Sequence, residues 1–322
     1  MTGIVRPLPG ADDTDLDWEA WGARDPYFGV LTHERFRAAR LDDDARHDFF
    51  RTGAQHVEHV LALCRRHVDP GFAPRRVLDF GCGVGRVAIP FARHALEVVG
   101  VDVSPSMLAE ARANCAAQRC ANVVLQRSDD RLSALQGTFD LVHSYIVLQH
   151  VDPARGLGIV ERLIARIRPG GIGVIHVTYG TRGADGALLR PEPPPAPPEP
   201  APPPPAGRGR LRRLRAALRA AVRPVAAPTL AAPTATGSAV GSTCATDPTD
   251  TTDAAGTAGD PGMQMHAYDL GALLHCVQAA GVVRLHADLT DHGGALGVLL
   301  CFARPEATAP WAAPSPATLP NP

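Results

Sequence analysis

The stretch that most constrains this chain is Val77-Leu78-Asp79-Phe80-Gly81-Cys82-Gly83-Val84-Gly85. A short apolar strand runs into three glycines at alternate positions, which lets the backbone turn sharply and approach a ligand closely. A bare glycine turn can also be a structural loop, so its surroundings decide. They form an α/β alternation. Residues 97–103 read as a second strand ending at Ser104-Pro105, an N-cap followed by proline at the first helical position. Residues 122–126 and 138–144 read as strands three and four, and Asp152-Pro153 opens a helix with Ile159, Val160, Leu163, Ile164 and Ile167 on its buried side. Pro169-Gly170-Gly171 stops that helix before strand five at 172–179. The helix after the glycine turn is expected to reach about residue 94, kinked at Pro90. Strands separated by helices predict a doubly wound α/β sheet, mostly parallel and covered on both faces. Near the end, strands at 282–289 and 295–303 flank the turn Asp291-His292-Gly293-Gly294, so the last strand is expected to be antiparallel.

Before this core, residues 1–70 read as an N-terminal cap. Trp18, Trp21, Tyr27, Phe28 and Phe36 give it an aromatic density unsuited to a disordered tail. Phe50, Val57, Leu61, Cys64 and Val68 mark one face of a helix over 44–68. The core itself spans 71–180, and residues 181–262 read as a low-complexity insertion rich in proline, arginine and alanine. Within it, 191–205 is a polyproline spacer, 207–223 carries seven arginines with Leu211, Leu214, Leu218 and Val222 at helical spacing, and 224–262 is expected to be disordered. Residues 263–304 supply a helix and the hairpin that complete the sheet, and 305–322 is expected to be a disordered Pro/Ala-rich tail. Since 22 of the 31 prolines fall in 181–262 and 305–322, the body is not proline-rich.

Composition removes several classes. All 32 basic residues are arginine, which excludes a Walker-A phosphate loop and any lysine Schiff-base or pyridoxal chemistry. A net charge of −1 gives no global pull towards nucleic acid or anionic membrane. No apolar run approaches the roughly 20 residues that span a bilayer. The first residues lack a basic stretch followed by an apolar core, and the seven cysteines form no CxxC pair; a cytoplasmic protein without disulfides or structural zinc is expected.

Three acids turn the glycine loop into a candidate site. Asp79 precedes the first glycine by two residues, and Asp102 ends strand two, where a carboxylate can accept both hydroxyls of a ribose. Asp129, in Ser128-Asp129-Asp130 after strand three, is placed to accept from an exocyclic amine such as adenine's, or to cap a loop or helix. The dinucleotide fingerprint would need glycine or alanine at position 86, where Arg86 stands. The observed DxGxGxG pattern resembles motif I of the class I S-adenosylmethionine-dependent methyltransferases. Further markers of that resemblance are Val98-Val99-Gly100-Val101-Asp102-Val103-Ser104, Phe139-Asp140-Leu141-Val142-His143-Ser144, Arg168-Pro169-Gly170-Gly171 and the closing hairpin. Trp21-Gly22 and Asp25-Pro26-Tyr27-Phe28-Gly29-Val30 look like the lead-in of bacterial members.

The resemblance implies a Rossmann-like sheet and S-adenosylmethionine as cofactor. Gly81, Cys82, Gly83 and Gly85 would let the loop pass beneath the methionine and ribose, and Asp79 would support the cofactor's amino group. Asp102, with Val103 beside it, would bind the ribose. Asp129 and the backbone amide of Asp130 would contact adenine, and Ser144 would lie beside the methionine. Transfer in this family is largely positional, aided by a base where the nucleophile is protonated. His150 is the first candidate base, with Tyr145 beside it; the other reading of His150 is a packing or capping residue. His143, alternating within strand four, reads as structural. Neither an NPPY-like tetrapeptide nor a Pro-Cys nucleophile follows strand four, and no Asp/Asn cluster suggests a magnesium site. A small-molecule acceptor is therefore expected, held by the aromatic cap and by Met263-Gln264-Met265-His266-Ala267-Tyr268. Two alternatives are an NAD(P)-dependent oxidoreductase and a non-catalytic cofactor-binding module whose arginine segment 207–223 meets nucleic acid or another anionic surface.

Overall fold

The computed structural model describes residues 13–183, 186–189 and 260–306. All of them belong to one compact unit. The polyproline spacer, the arginine segment 207–223 and the tail from 307 onward lie outside the described residues.

Helices α1 (Asp13–Arg24) and α2 (Pro26–Val30) precede the long α3 (Asp43–His67), whose N-cap Asp42 accepts from the amide of Ala45. The alternation then runs β1 (Arg76–Phe80), α4 (Ala88–Phe91), β2 (Glu97–Asp102), α5 (Pro105–Ala117), β3 (Val123–Arg127), β4 (Phe139–Ser144), α6 (Pro153–Arg166) and β5 (Ile167–Arg182). A two-residue strand β6 (Leu188–Leu189) pairs with β5, and α7 (Leu270–Ala279), β7 (Leu285–His292) and β8 (Ala295–Ala303) close the fold. The sheet order is β3-β2-β1-β4-β5-β8-β7. Strands β1 to β5 pair in parallel, while β8 runs antiparallel to β5 and also to β7, the latter as the glycine turn at 293–294 requires.

Alternation along each strand builds two core layers. Leu78, Phe80, Val99 and Val101 face α6 and α7 through Ile159, Leu163, Leu273 and Val277. Val77, Val98 and Val174 face α3 through Val57, Leu61 and Cys64. The aromatic expectation for α3 needs a correction: Phe49 is the fully buried ring, while Phe50 packs only at its edge. The helix expected to reach residue 94 is limited to Ala88–Phe91, flanked by turns; Pro90 brings no N–H to extend it. Strand five also starts earlier than expected and takes in Pro169-Gly170-Gly171.

The cap is fixed to the core through buried rings and charges. Trp21, Tyr27, Phe28, Phe36 and Phe49 cluster with Val84 and Met107 of the core. Glu19 accepts from the Ser104 hydroxyl (2.7 Å) and from the amide and hydroxyl of Ser106, completing the N-terminus of α5. A Cβ at Gly22 would lie 2.9 Å from the Met107 nitrogen, so glycine is what lets α1 sit this close. Among the described residues no helix is long and apolar enough to cross a membrane.

Candidate active site

The carboxyl ends of β1, β2 and β4 open into a partly enclosed cavity roofed by α1 and α2. Open α/β sheets bind ligands in this place, where the strand order reverses. Asp79, Gly81, Cys82, Gly83, Asp102, Val103, Asp129, Asp130, Tyr145 and His150 all line it. Gly85 and Ser144 do not. Gly85 shapes the turn at φ +87° against Ile89, and Ser144 is fully buried, its hydroxyl without a partner among the described residues.

Gly81 and Gly83 both have positive φ, at 73° and 51°. A Cβ at Gly81 would lie 2.6 Å from Val147 Cγ1, and one at Gly83 would lie 2.7 Å from Val30 Cγ2. The loop is therefore pinched between the segment after β4 and the cap, and any side chain would fill the cradle. Asp102 holds the loop: its Oδ2 accepts from the amide of Gly83 and its Oδ1 from that of Ser104, both at 2.9 Å. Burial pushes its carboxyl up to about 6, against the pull of those amides.

Asp79 is 3% exposed, and its two oxygens differ. Oδ1 accepts from His143 Nδ1 at 2.8 Å, whereas Oδ2 is buried with no partner among the described residues. His143 Nε2 meets His56 Nε2 of α3 at 2.9 Å, and His56 stacks on the Tyr145 ring with centroids 3.8 Å apart. Burial, with His143 and Arg86 nearby, holds the His56 imidazole well below its ordinary range. Burial also raises the Tyr145 phenol. His143 thus lines the cavity as well as bracing Asp79.

The adenine-side acids have further duties. Asp129 Oδ1 accepts from the Ser133 amide at 2.9 Å; burial pulls upward, but this and further hydrogen bonds to Ser133 and Arg131 hold its carboxyl low. Asp130 takes a bidentate grip from Arg155, which also reaches Asp15 of α1 at 2.8 Å. This bridge ties the roof to the floor. His150 is 5% exposed; its Nδ1 meets the Gln264 carbonyl at 2.8 Å, its Nε2 meets the Gln149 amide at 3.3 Å, and Trp18 packs edge-on against it. Burial lowers its basicity, partly offset by that carbonyl. Residues 263–268, expected to touch substrate, do not line the cavity. Met263 packs against the cap, and Tyr268 is core, donating to the carbonyls of Leu148 and Val151.

Trp18 of α1 is the member of the expected aromatic cap that lines the cavity. Thr14 and Asp15 of α1, Gly29 and Val30 of α2, and Ile146 line it without having been singled out from sequence, and Ile146 sits after β4 at φ +57°, rare for a β-branched residue. Helical spacing could have grouped Asp15 with Trp18. Nothing local marked Ile146 or His56. Arg86, used above only to exclude the dinucleotide fingerprint, also lines the cavity.

Residues 77–171 match the family described as a methyltransferase domain. An uncharacterised methyltransferase of Synechocystis sp. is 33% identical over 120 residues, covering 37% of this chain and 53% of its own length. A malonyl-[acyl-carrier protein] O-methyltransferase of Enterobacter lignolyticus is 32% identical over 138 residues, covering 41% and 53% respectively. The chain spans about half the length of these curated relatives. Among solved structures, a magnesium protoporphyrin IX methyltransferase from Synechocystis PCC 6803 aligns with a TM-score of 0.48 and 15% identity, over 91% of this chain and 98% of that one. The strand order, the glycine loop with its two strand-end acids and the family match agree on one assignment: residues 77–171 form a methyltransferase domain.

Proposed function

We propose that this chain transfers the methyl group of S-adenosylmethionine to a small-molecule acceptor. One observation carries the reading. A buried carboxylate oxygen without a partner, a glycine cradle and a second strand-end carboxylate line one cavity. This donor set fits the cofactor. Asp79 Oδ2 is an acceptor for its ammonium, and Gly81 and Gly83 leave room for its backbone-hugging middle. Asp102, whose oxygens keep lone pairs beyond the two amides they hold, is an acceptor for the ribose hydroxyls.

Bound there, the cofactor supplies a methyl group already activated by its sulfonium. The chain contributes position and dryness. Val30 and Trp18 cover the cleft from the cap side, and the Arg155 bridge to Asp15 and Asp130 keeps that cover in place. Holding a nucleophile in line within such a site supplies much of the rate. Where the nucleophile carries a proton, His150 Nε2 is its proposed acceptor, meeting its Gln149 neighbour only at 3.3 Å, while the Tyr145 phenol, kept protonated by burial, is a proposed hydrogen-bond partner for the acceptor molecule. The roles of Asp129 and Asp130 towards adenine belong to the same proposal. The cytoplasm is the proposed compartment, supported by six free cysteines among the described residues.

Isothermal titration with S-adenosylmethionine and its product S-adenosylhomocysteine, against NADH, tests the cofactor. Binding of NADH with no response to either sulfur compound would sink the proposal. Incubating the protein with methyl-labelled S-adenosylmethionine and fractionated small-molecule extracts then identifies the acceptor. Cofactor binding without label transfer to any fraction would favour a non-catalytic module.

A further inference from the structure

The proposed cofactor contacts account for Asp79, the glycines and Asp102, and leave Arg86 over. This residue is 6% exposed, yet it lines the same cavity. A guanidinium offers five N–H donors and keeps its proton at any ordinary pH. Among the described residues it makes one hydrogen bond, Nη1 donating to Thr52 Oγ1 at a long 3.4 Å, and its Nε is buried with no partner. The carbon of the guanidinium lies 5.9 Å from the centre of the Tyr145 ring.

The surroundings hold no spare negative charge. Asp79 is the acid that Arg86 feels, but one of its oxygens is taken by His143 and the other is the proposed ammonium acceptor. The other titratable groups facing this side of the cavity are His56, His143, His292 and Tyr145, none of which is an anion near neutrality. Nor can the side chain swing out, because α3 closes over it at Gly53, where a Cβ would lie 3.1 Å from Arg86 Cγ. A buried cation with one long hydrogen bond is costly unless something else completes it.

We propose that Arg86 is the carboxylate receptor of this cleft, pairing with an acid group on a bound molecule. The inference rests on the methyl-transfer reading, in which two molecules can present that group: the amino-acid end of the cofactor, or an acid-bearing acceptor. The chemistry is shared, a planar carboxylate meeting a planar fork of donors. It also makes Arg86 and Asp79 neighbouring recognition points of opposite sign.

The test compares wild type, Arg86→Gln and Arg86→Lys in two arms. In the first, titration calorimetry measures S-adenosylhomocysteine and 5′-methylthioadenosine, which shares its nucleoside and thioether but lacks the carboxylate. Weakening of the former by roughly 30-fold or more in Arg86→Gln, with the latter unchanged and Arg86→Lys between, assigns Arg86 to the cofactor's carboxylate. In the second arm, acetate, benzoate and succinate are tested for thermal stabilisation, with benzamide as the neutral control. Stabilisation of wild type that vanishes in Arg86→Gln, with S-adenosylhomocysteine affinity unchanged, assigns Arg86 to the acceptor's acid group. If that affinity is unchanged and the acids act on both proteins alike, or on neither, the proposal is overturned. Running the acid arm without cofactor keeps the two readings separable: wild type that binds neither nucleoside refutes methyl transfer, while an Arg86-dependent acid response would survive it. Should Arg86→Gln not fold, Arg86→Lys carries both arms, since a lysine keeps the charge and loses the fork.

Discussion

Gly53→Ala separates what the sequence says from what the structure says. Gly53 lies in the middle of α3, where alanine is the better helix former by about 1 kcal/mol. Propensity alone therefore predicts stabilisation. The packing predicts the reverse. A Cβ at Gly53 would lie 2.8 Å from the Arg86 carbonyl carbon and closer still to its oxygen, and a backbone carbonyl cannot rotate aside. Relief requires α3 to back away from the glycine loop by about 1 Å, enough to forfeit a quarter to a half of each dispersion contact it loosens. The contacts at stake are those of Val57, Val60, Leu61 and Cys64, all fully buried. Overpacking of this kind costs about 1–3 kcal/mol, with the upper end favoured against a backbone atom, so the net loss should be about 1–2 kcal/mol. For a body of this size that lowers Tm by about 2–8 °C. Gly158→Ala in α6 is the control, since its Cβ would meet only the end of the flexible Arg162 side chain at 3.0 Å. Thermal unfolding followed by circular dichroism should show Gly158→Ala melting above wild type and Gly53→Ala below it. Gly53→Ala melting at or above wild type would refute the reasoning and remove α3 as the element that seals Arg86.

Asp102→Asn should weaken S-adenosylhomocysteine by about 1–3 kcal/mol, and unchanged affinity would take Asp102 out of the site. The same carboxyl, pushed up to about 6, sets a pH dependence: protonation removes the acceptor that ribose hydroxyls need, so wild-type affinity should fall as pH drops through 6. Asp102→Asn should titrate flat there, and a wild-type profile without that fall would contradict the assignment. His143→Ala deprives Asp79 Oδ1 and His56 of their partners and opens a cavity, so urea denaturation should show a loss of about 2–4 kcal/mol; a loss below about 1 kcal/mol would mean that the buried carboxylate does not depend on it. Replacing residues 192–251, low in complexity and poor in core-forming residues, by a short Gly/Ser linker should leave Tm and S-adenosylhomocysteine affinity unchanged. A variant that no longer binds would show that the insertion is part of the site.

The parts of the fold that could be read from sequence are those written by local rules. Pro105 and Pro153 each follow an N-cap side chain that accepts from the helix behind it, Ser104 from Met107 and Asp152 from Ala154 and Arg155. The Gly293-Gly294 turn fixed the sign of the last strand pairing. The misreadings arose where tertiary packing overrides local pattern. Phe49 and Phe50 are adjacent, and apolar spacing alone could not choose between them; the choice is made by edge-on contacts of Phe49 with Tyr27 and Phe36. Strand five starts at Ile167, through Pro169 and two glycines, because Phe139 of β4 pairs with Ile167, and the Gly170 and Arg304 backbones carry the β8 pairing past Ile172.

The candidate site divides along the same line. Its cofactor end is made of backbone shape and strand-end acids from one contiguous segment, so Gly81, Gly83, Asp79 and Asp102 carry a spacing that can be recognised. The other end has no spacing to recognise. Trp18 comes from α1, Val30 from α2, His56 from α3 and Arg86 from the loop, and they converge only once the cap has packed. Each looks unremarkable in its own segment: a histidine on a helix face, an arginine after a glycine. What makes them informative is burial without partners. Arg86 Nε and Asp79 Oδ2 are buried atoms of opposite sign without a partner among the described residues, and both residues line one cavity. The glycines say which kind of cofactor can lie here, whereas the orphaned charges constrain what must lie against it.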